Sequence, residues 1–173
     1  QGRNIPVLDL SLEWDDDDLE WAPSFAVVQP SDEDAAMAAM VAEYEKALDD
    51  ALSEEIATIG VDVDTRRASV RAMETNFGNA ATDAMMTVTG ADIGMTNGGG
   101  IRGNKVYPAG SVMTARDVFA ELPFGNKTVV LAMSGEDVMA ALENAVSKIE
   151  DTSGRFMQVS GNVAVVYDRD AAV

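Results

Sequence analysis

Asn97-Gly98-Gly99-Gly100-Ile101-Arg102 sets a carboxamide and a guanidinium at the two ends of three glycines. An asparagine amide both donates to and accepts from the edge of a heterocycle, and the planar arginine fork matches phosphate oxygens. Glycines between them let backbone approach a ligand closely. Gly98, Gly100 and Gly103 also satisfy G-x-G-x-x-G, but a dinucleotide fingerprint needs a helix to open on those glycines, and Asn104 to Gly110 is turn-like and contains Pro108. No Gly-Lys-Ser/Thr follows, so the P-loop reading fails as well. The plain alternative is a tight turn requiring positive φ. Arginine is scarce, with eight in the chain, and three of them fall at Arg66, Arg67 and Arg71. They are either a second anion-binding group or the partners of nearby Asp62, Asp64 and Glu74. The chain has no histidine and no cysteine. Ser-His and Cys-His nucleophiles, histidine general bases, disulfides and Cys-ligated zinc are therefore all excluded.

The background is strongly acidic: 12 Lys+Arg against 30 Asp+Glu over 173 residues, a formal charge of −18. Such a field repels nucleic acid polymers and anionic membranes, so a phosphate-bearing ligand must be held by a local exception to it. The run Asp15-Asp16-Asp17-Asp18 lacks the glycine and terminal glutamate of an EF-hand and reads as a solvated turn. A carboxylate-based enzyme or calcium protein is a third possibility, but no pair of acids stands at a telling spacing. With four lysines and 18 aspartates, the surface suits either high salt or an ordinary acidic secreted protein. No apolar run approaches the roughly 20 residues of a membrane span. The start, Gln1-Gly2-Arg3-Asn4, has neither an initiator Met nor a signal peptide and predicts a processed or cut chain.

These groups need elements to position them. Residues 5–28 predict extended strands around the acidic turn. Ser31 is a candidate N-cap, with Asp32, Glu33 and Asp34 in the first turn of a helix of about 25 residues. Met37, Met40, Val41, Tyr44, Leu48, Ala51 and Leu52 give that helix one apolar stripe, expected in the core. Ile56 to Val63 predicts a strand, 77–88 a helix and Ala91 to Thr96 a short strand leading into the glycines. Thr114 is a candidate cap for a short helix through Val118 and Phe119. Residues 127–133 predict a strand, and Ser134 with Asp137 a capping box opening a helix to about Lys148. Val159 to Tyr167 predicts a closing strand. The pattern is α/β or α+β with packed layers.

Four stretches, taken together, carry a resemblance. They are Arg71-Ala72-Met73-Glu74-Thr75-Asn76-Phe77-Gly78-Asn79, Asn97-Gly98-Gly99-Gly100-Ile101-Arg102, Glu121-Leu122-Pro123-Phe124-Gly125-Asn126 and Ser153-Gly154-Arg155-Phe156-Met157-Gln158-Val159-Ser160-Gly161. In that order they resemble the C-terminal domain of the 5′-nucleotidase family, which includes UDP-sugar hydrolases and 2′,3′-cyclic phosphodiesterases. The likeness implies a layered α/β (α+β) domain with mixed or antiparallel sheets flanked by helices. Residues 1–30 would be an N-terminal extended segment of the domain formed by 31–173, whose C-terminal end is expected to be incomplete. By resemblance, Arg71 and Arg102 hold substrate phosphate, Asn97 hydrogen-bonds the base within the Gly98-Gly99-Gly100 turn, and Phe124 is one of two stacking phenylalanines. Arg155, Phe156 and Gln158 read as structural.

The resemblance also implies that the chemistry belongs to a separate N-terminal metallophosphoesterase domain, where Asp, His and Asn hold two divalent metal ions. This chain is then expected to bind no cofactor and to be inactive alone. Its ligand would be a nucleotide or nucleotide sugar, and its setting periplasmic, cell-surface or extracellular. The second stacking phenylalanine and a ribose-contacting acid of the family fall beyond Val173. The alternative is a non-catalytic module that binds a nucleotide or another phosphate ligand.

Overall fold

The computed structural model describes residues 4–16, 18–29 and 32–168. Backbone contacts divide the chain into a first unit, Gln1–Leu48, and a second, Asp49–Val173; the sequence reading had residues 1–30 as an extended segment of the domain formed by 31–173.

The first unit opens with an antiparallel hairpin of β1 (Ile5–Asp15) and β2 (Asp18–Val28). The acidic run does form its connection, turning at Asp16, whose φ of +52° suits a short hairpin loop. Register puts Leu8 opposite Phe25, Leu12 opposite Trp21 and Trp14 opposite Leu19, so one face is wholly apolar and the other carries Asp9, Ser11, Glu13, Glu20 and Ser24. The helix α1 follows at Ala35–Leu52, with 18 residues where about 25 were expected. Its cap is Asp34, whose Oδ1 accepts from the N–H groups of Ala36 and Met37 at 3.0 and 2.9 Å. The Ser31 candidate lies outside the described residues. The stripe of Met37, Met40, Val41, Tyr44 and Leu48 is exposed, and no residue of α1 is buried. Periodicity encodes a face to be covered, and nothing described packs over this one.

In the second unit every described strand pair is antiparallel, which settles the choice between mixed and antiparallel sheets: β3 (Glu55–Thr58) with β7 (Val112–Thr114), β4 (Val63–Asp64) with β6 (Val106–Tyr107), and β5 (Met95–Asn97) with β8 (Met157–Val159). The single strand expected over 56–63 is two, because the chain bends after Ile59 to leave one partner for another. Between these pairs lie α2 (Arg67–Val70), α3 (Asn76–Thr89), α4 (Ala115–Glu121) and α5 (Gly135–Val146). Thr114 and Ser134 cap α4 and α5 with full capping boxes to Asp117 and Asp137, as their spacing predicts. The helix α5 stops two residues short of Lys148.

Two expected strands do not form ladders. Residues 127–133 carry no regular secondary structure, with Val129, Val130 and Leu131 exposed, and the closing strand stops at Val159. After it, Val163 N–H bonds back to the Ser160 carbonyl at 2.9 Å and turns the chain. β-branched residues favour extended backbone, but a strand also needs a neighbour, and none is present among the described residues. The core is a cluster of Ile59, Val70, Phe77, Ile101, Tyr107 and Met113, with Val63, Ala81, Val118 and Leu122 against it. It joins α2, α3 and the residue preceding Arg102, so the arginine-bearing segments stand on packed scaffold.

Candidate anion and base site

Arg71 follows directly on the short helix α2 and terminates it with φ −109° and ψ 3°. The residue is only 8% exposed, its Nε has no hydrogen-bond partner, and its Nη1 reaches the Thr152 carbonyl only at 3.5 Å. Burial lowers its pKa, and the positive charges of Arg67 and Arg102 add to the shift. A buried guanidinium with an orphan donor and two like-charged neighbours is poised for an anion, and it stands in a chain carrying −18. The nearby acids do not neutralise it. Asp64 takes Arg66 at 2.7 Å and also accepts from Ser69, which holds its carboxyl far below the usual carboxylate range, chiefly through the Arg66 bond. Glu74 accepts from Asn79 at 2.6 Å, and Asp62 accepts from Ala109 N–H at 2.9 Å. Of the three clustered arginines, then, the acid-pairing alternative holds for Arg66; no carboxylate among the described residues pairs with Arg67 or Arg71.

The glycine turn is a single 3₁₀ turn, Gly98–Gly100, after β5. None of its glycines has positive φ; those that do are Gly90, Gly110 and Gly125. The turn alternative is thereby corrected: these glycines serve close approach. A Cβ on Gly98 would lie 1.9 Å from the Val70 carbonyl oxygen, and one on Gly99 2.9 Å from the backbone of Gly154. The Gly98 and Gly99 N–H groups donate to the Phe156 and Gly154 carbonyls at 2.7 and 2.9 Å. Asn97 Nδ2 donates to the Gly154 carbonyl at 3.0 Å, which orients the amide while its Oδ1 keeps accepting capacity.

Arg102 is exposed and lies over the Phe124 ring at 5.5 Å, so guanidinium and aromatic share one surface. Its loop is clamped by Glu121: Arg102 N–H donates to the Glu121 carbonyl at 2.9 Å and Gly103 N–H to its Oε2 at 2.9 Å. Fully buried Glu121 also accepts from Thr65 Oγ1 at 2.8 Å and from the Tyr107 hydroxyl at 2.9 Å. Burial first, and then the Glu121 carboxylate, push the Tyr107 ionisation upward. The Phe124 ring, 58% exposed, walls an apolar cleft of about 260 Å³ with Met85, Val118, Phe119 and Leu122. A second cleft of about 430 Å³ is lined by Met85, Thr96, Asn97 and Asn126. A larger hollow of about 520 Å³ at the end of α5 has among its described lining residues Lys148 against Glu143, Glu150, Asp151 and Asp168, an acidic surround that ill suits an anion.

Arg71 and Arg102 are thus brought to one cationic region, with the glycine turn joining it to Asn97 and the Phe124 shelf. The sequence reading gave Gln158 no more than a structural place and no role to Gly154, Glu121 or Tyr107. All but Tyr107 stand in the quoted motifs, yet their partners lie far off in sequence. Arg155 bonds Ser147 at 2.9 Å and Asn144 at 3.3 Å, which ties its loop to α5. Among the described residues no group of three or more His, Cys, Asp or Glu side chains could hold a metal ion.

These features define a class: an antiparallel α/β domain with clustered arginines beside an aromatic shelf. The chain belongs to the 5′-nucleotidase C-terminal domain family, whose sequence model matches residues 55–173. It is 36% identical over 123 residues to the trifunctional nucleotide phosphoesterase protein YfkN of Bacillus subtilis, covering 69% of this chain and 8% of that one. It is 30% identical over 146 residues to the 5′-nucleotidase of Homo sapiens, covering 79% of this chain and 25% of that protein. Among solved structures, the 5′-nucleotidase precursor from Thermus thermophilus superimposes with a TM-score of 0.64 at 37% identity, over 92% of this chain and 32% of that one. The chain therefore spans a third or less of each of these proteins.

Proposed function

We propose that this chain is the substrate-holding domain of a 5′-nucleotidase-type phosphoester hydrolase, gripping a nucleotide or nucleotide sugar while another domain of the same parent performs hydrolysis. The observation that carries this is Arg71, buried and lacking a partner at Nε, beside Arg67 and Arg102. Phosphate oxygens supply both the acceptors and the negative charge that this cluster lacks. Phe124 offers an exposed face on which any base can stack for roughly 1–3 kcal/mol, and Asn97 presents a held amide to the base edge. The names of the relatives, nucleotide phosphoesterase and 5′-nucleotidase, favour this ligand class.

The two divalent ions that the family resemblance implies do not fit the side chains described here, and no hydrolytic step is assigned to this chain. Our reading places those ions in the other domain and the parent outside the cytoplasm. Among the described residues no helix is long and apolar enough to cross a membrane.

Calorimetry of the chain with AMP, adenosine and inorganic phosphate tests this. Arg102→Gln should weaken AMP and phosphate but spare adenosine, and Phe124→Ala should weaken AMP and adenosine but spare phosphate. Absence of binding by all three, or equal loss for all three in both variants, would sink the assignment.

A further inference from the structure

We propose that Gln158 is the positioning residue of the anion site: its carboxamide fixes the turn carrying Arg71 and so holds the guanidinium in place before any ligand arrives. This rests on Arg71 being a phosphate ligand.

The Arg71 side chain makes almost no polar contact, only the 3.5 Å reach to the Thr152 carbonyl. Its pose must therefore come from the backbone on either side. Gln158 sits in β8 opposite Thr96 of β5 and is fully buried. Its Nε2 donates to the carbonyls of Val70 at 2.9 Å and Met73 at 2.8 Å. Its Oε1 accepts from Thr75 N–H at 2.9 Å and from Thr75 Oγ1 at 3.2 Å. All four hydrogen-bonding positions of the amide are filled, and every partner lies within four residues of Arg71. The carbonyl before Arg71 and the cap of α3 after it are held by one side chain. Gly78 admits that side chain, since a Cβ there would lie 2.1 Å from Oε1.

The segment leading into β8 contacts the glycine turn. The Gly154 and Phe156 carbonyls receive the Gly99 and Gly98 N–H groups, and the Val70 carbonyl that Gln158 holds is the one against which Gly98 packs. Residues 154–158 thereby register the Arg71 turn against the glycine turn that leads to Arg102. Only an amide does this: a glutamate carboxylate would face two carbonyl oxygens with no hydrogen to give, and a methionine would leave both carbonyls and the Thr75 N–H unpaired in the interior.

The test is ¹⁵N NMR of the arginine Nε–Hε groups in the ligand-free chain, repeated in Gln158→Glu and Gln158→Met, with AMP and adenosine titrations of each. In the unsubstituted chain the Arg71 signal should be as ordered as the backbone amides of α3, while those of Arg67 and Arg102 are motionally averaged. Either substitution should set Arg71 moving and weaken AMP by ~10- to ~100-fold, with adenosine affinity changing less than about twofold. A mobile Arg71 in the unsubstituted chain overturns the proposal, as does an ordered Arg71 or undiminished AMP affinity in a folded variant. Should neither variant fold, the unsubstituted signal decides alone. If the unsubstituted chain binds neither AMP nor phosphate, the nucleotide reading fails, and the order of Arg71 still decides for or against Gln158.

Discussion

Replacing Arg71 by methionine should stabilise the ligand-free domain while removing its grip on phosphate. Arg71 is 8% exposed with an unpartnered Nε. A buried donor left without an acceptor costs about 1–3 kcal/mol, and the charges of Arg67 and Arg102 add repulsion. Methionine keeps an unbranched, flexible stem and adapts to irregular gaps. Some packing is lost with the planar head, so the expected net gain is about 1–2 kcal/mol, or ~4–8 °C in the unit Asp49–Val173. Urea melts with and without inorganic phosphate would measure it. Saturating ligand at 100 times Kd stabilises a binding-competent chain by about 2.7 kcal/mol. The order of stability should therefore invert: the variant is the more stable without phosphate and the unsubstituted chain with it. A variant destabilised by more than about 1 kcal/mol without phosphate would refute the view that Arg71 is an uncompensated charge held for an anion. Equal stabilisation of both proteins by phosphate would place the anion elsewhere.

Gly98→Ala, though free of any φ penalty, puts a methyl 1.9 Å from the Val70 carbonyl oxygen and should cost about 3 kcal/mol or more; a urea midpoint within error of the unsubstituted chain would show that the close approach is not real. Tyr107 is buried with its hydroxyl 2.9 Å from Glu121, and its folded-state ionisation lies above that of the unfolded chain, near about 10. Its contribution is thus complete below pH ~10 and falls as pH rises, because there the unfolded state binds fewer protons. Tyr107→Phe should flatten the alkaline stability profile by up to ~1.4 kcal/mol per pH unit, and an unchanged slope would contradict this. With a formal charge of −18, the melting temperature should rise on going from low salt to molar KCl as self-repulsion is screened; a flat response would argue against charge repulsion as a destabilising term.

What could be read from the sequence was what is local. The helices α3, α4 and α5 follow from apolar residues three and four apart and from Thr114 and Ser134 with an acid three residues on, all interactions within one or two turns. The arginines were legible as chemistry because so few cations stand in so acidic a chain. The failures are all non-local. Residues 127–133 have the composition of a strand, but composition specifies an extended backbone and not its neighbour. The α1 stripe marks a face and not what covers it. Ser31, the cap read from the sequence, lies outside the described residues, and Asp34, read as a first-turn acid, accepts from two N–H groups at the start of α1.

The glycine triplet shows the limit most sharply. The sequence reading had its glycines admit a ligand to the backbone, with a positive-φ turn as the alternative, and no positive φ is found there. The glycines are needed because the Val70 and Gly154 backbones press on them, and those segments lie 28 and 55 residues away from Gly98 and Gly99. Gln158 is the same case in a polar side chain. A lone amide between Met157 and Val159 breaks the apolar run of β8, and that break was the available signal. Its meaning lies 83 to 88 residues upstream, at Thr75, Met73 and Val70. The arginine cluster announces itself in the sequence, whereas the buried hydrogen bonds around it exist only once distant strands have met.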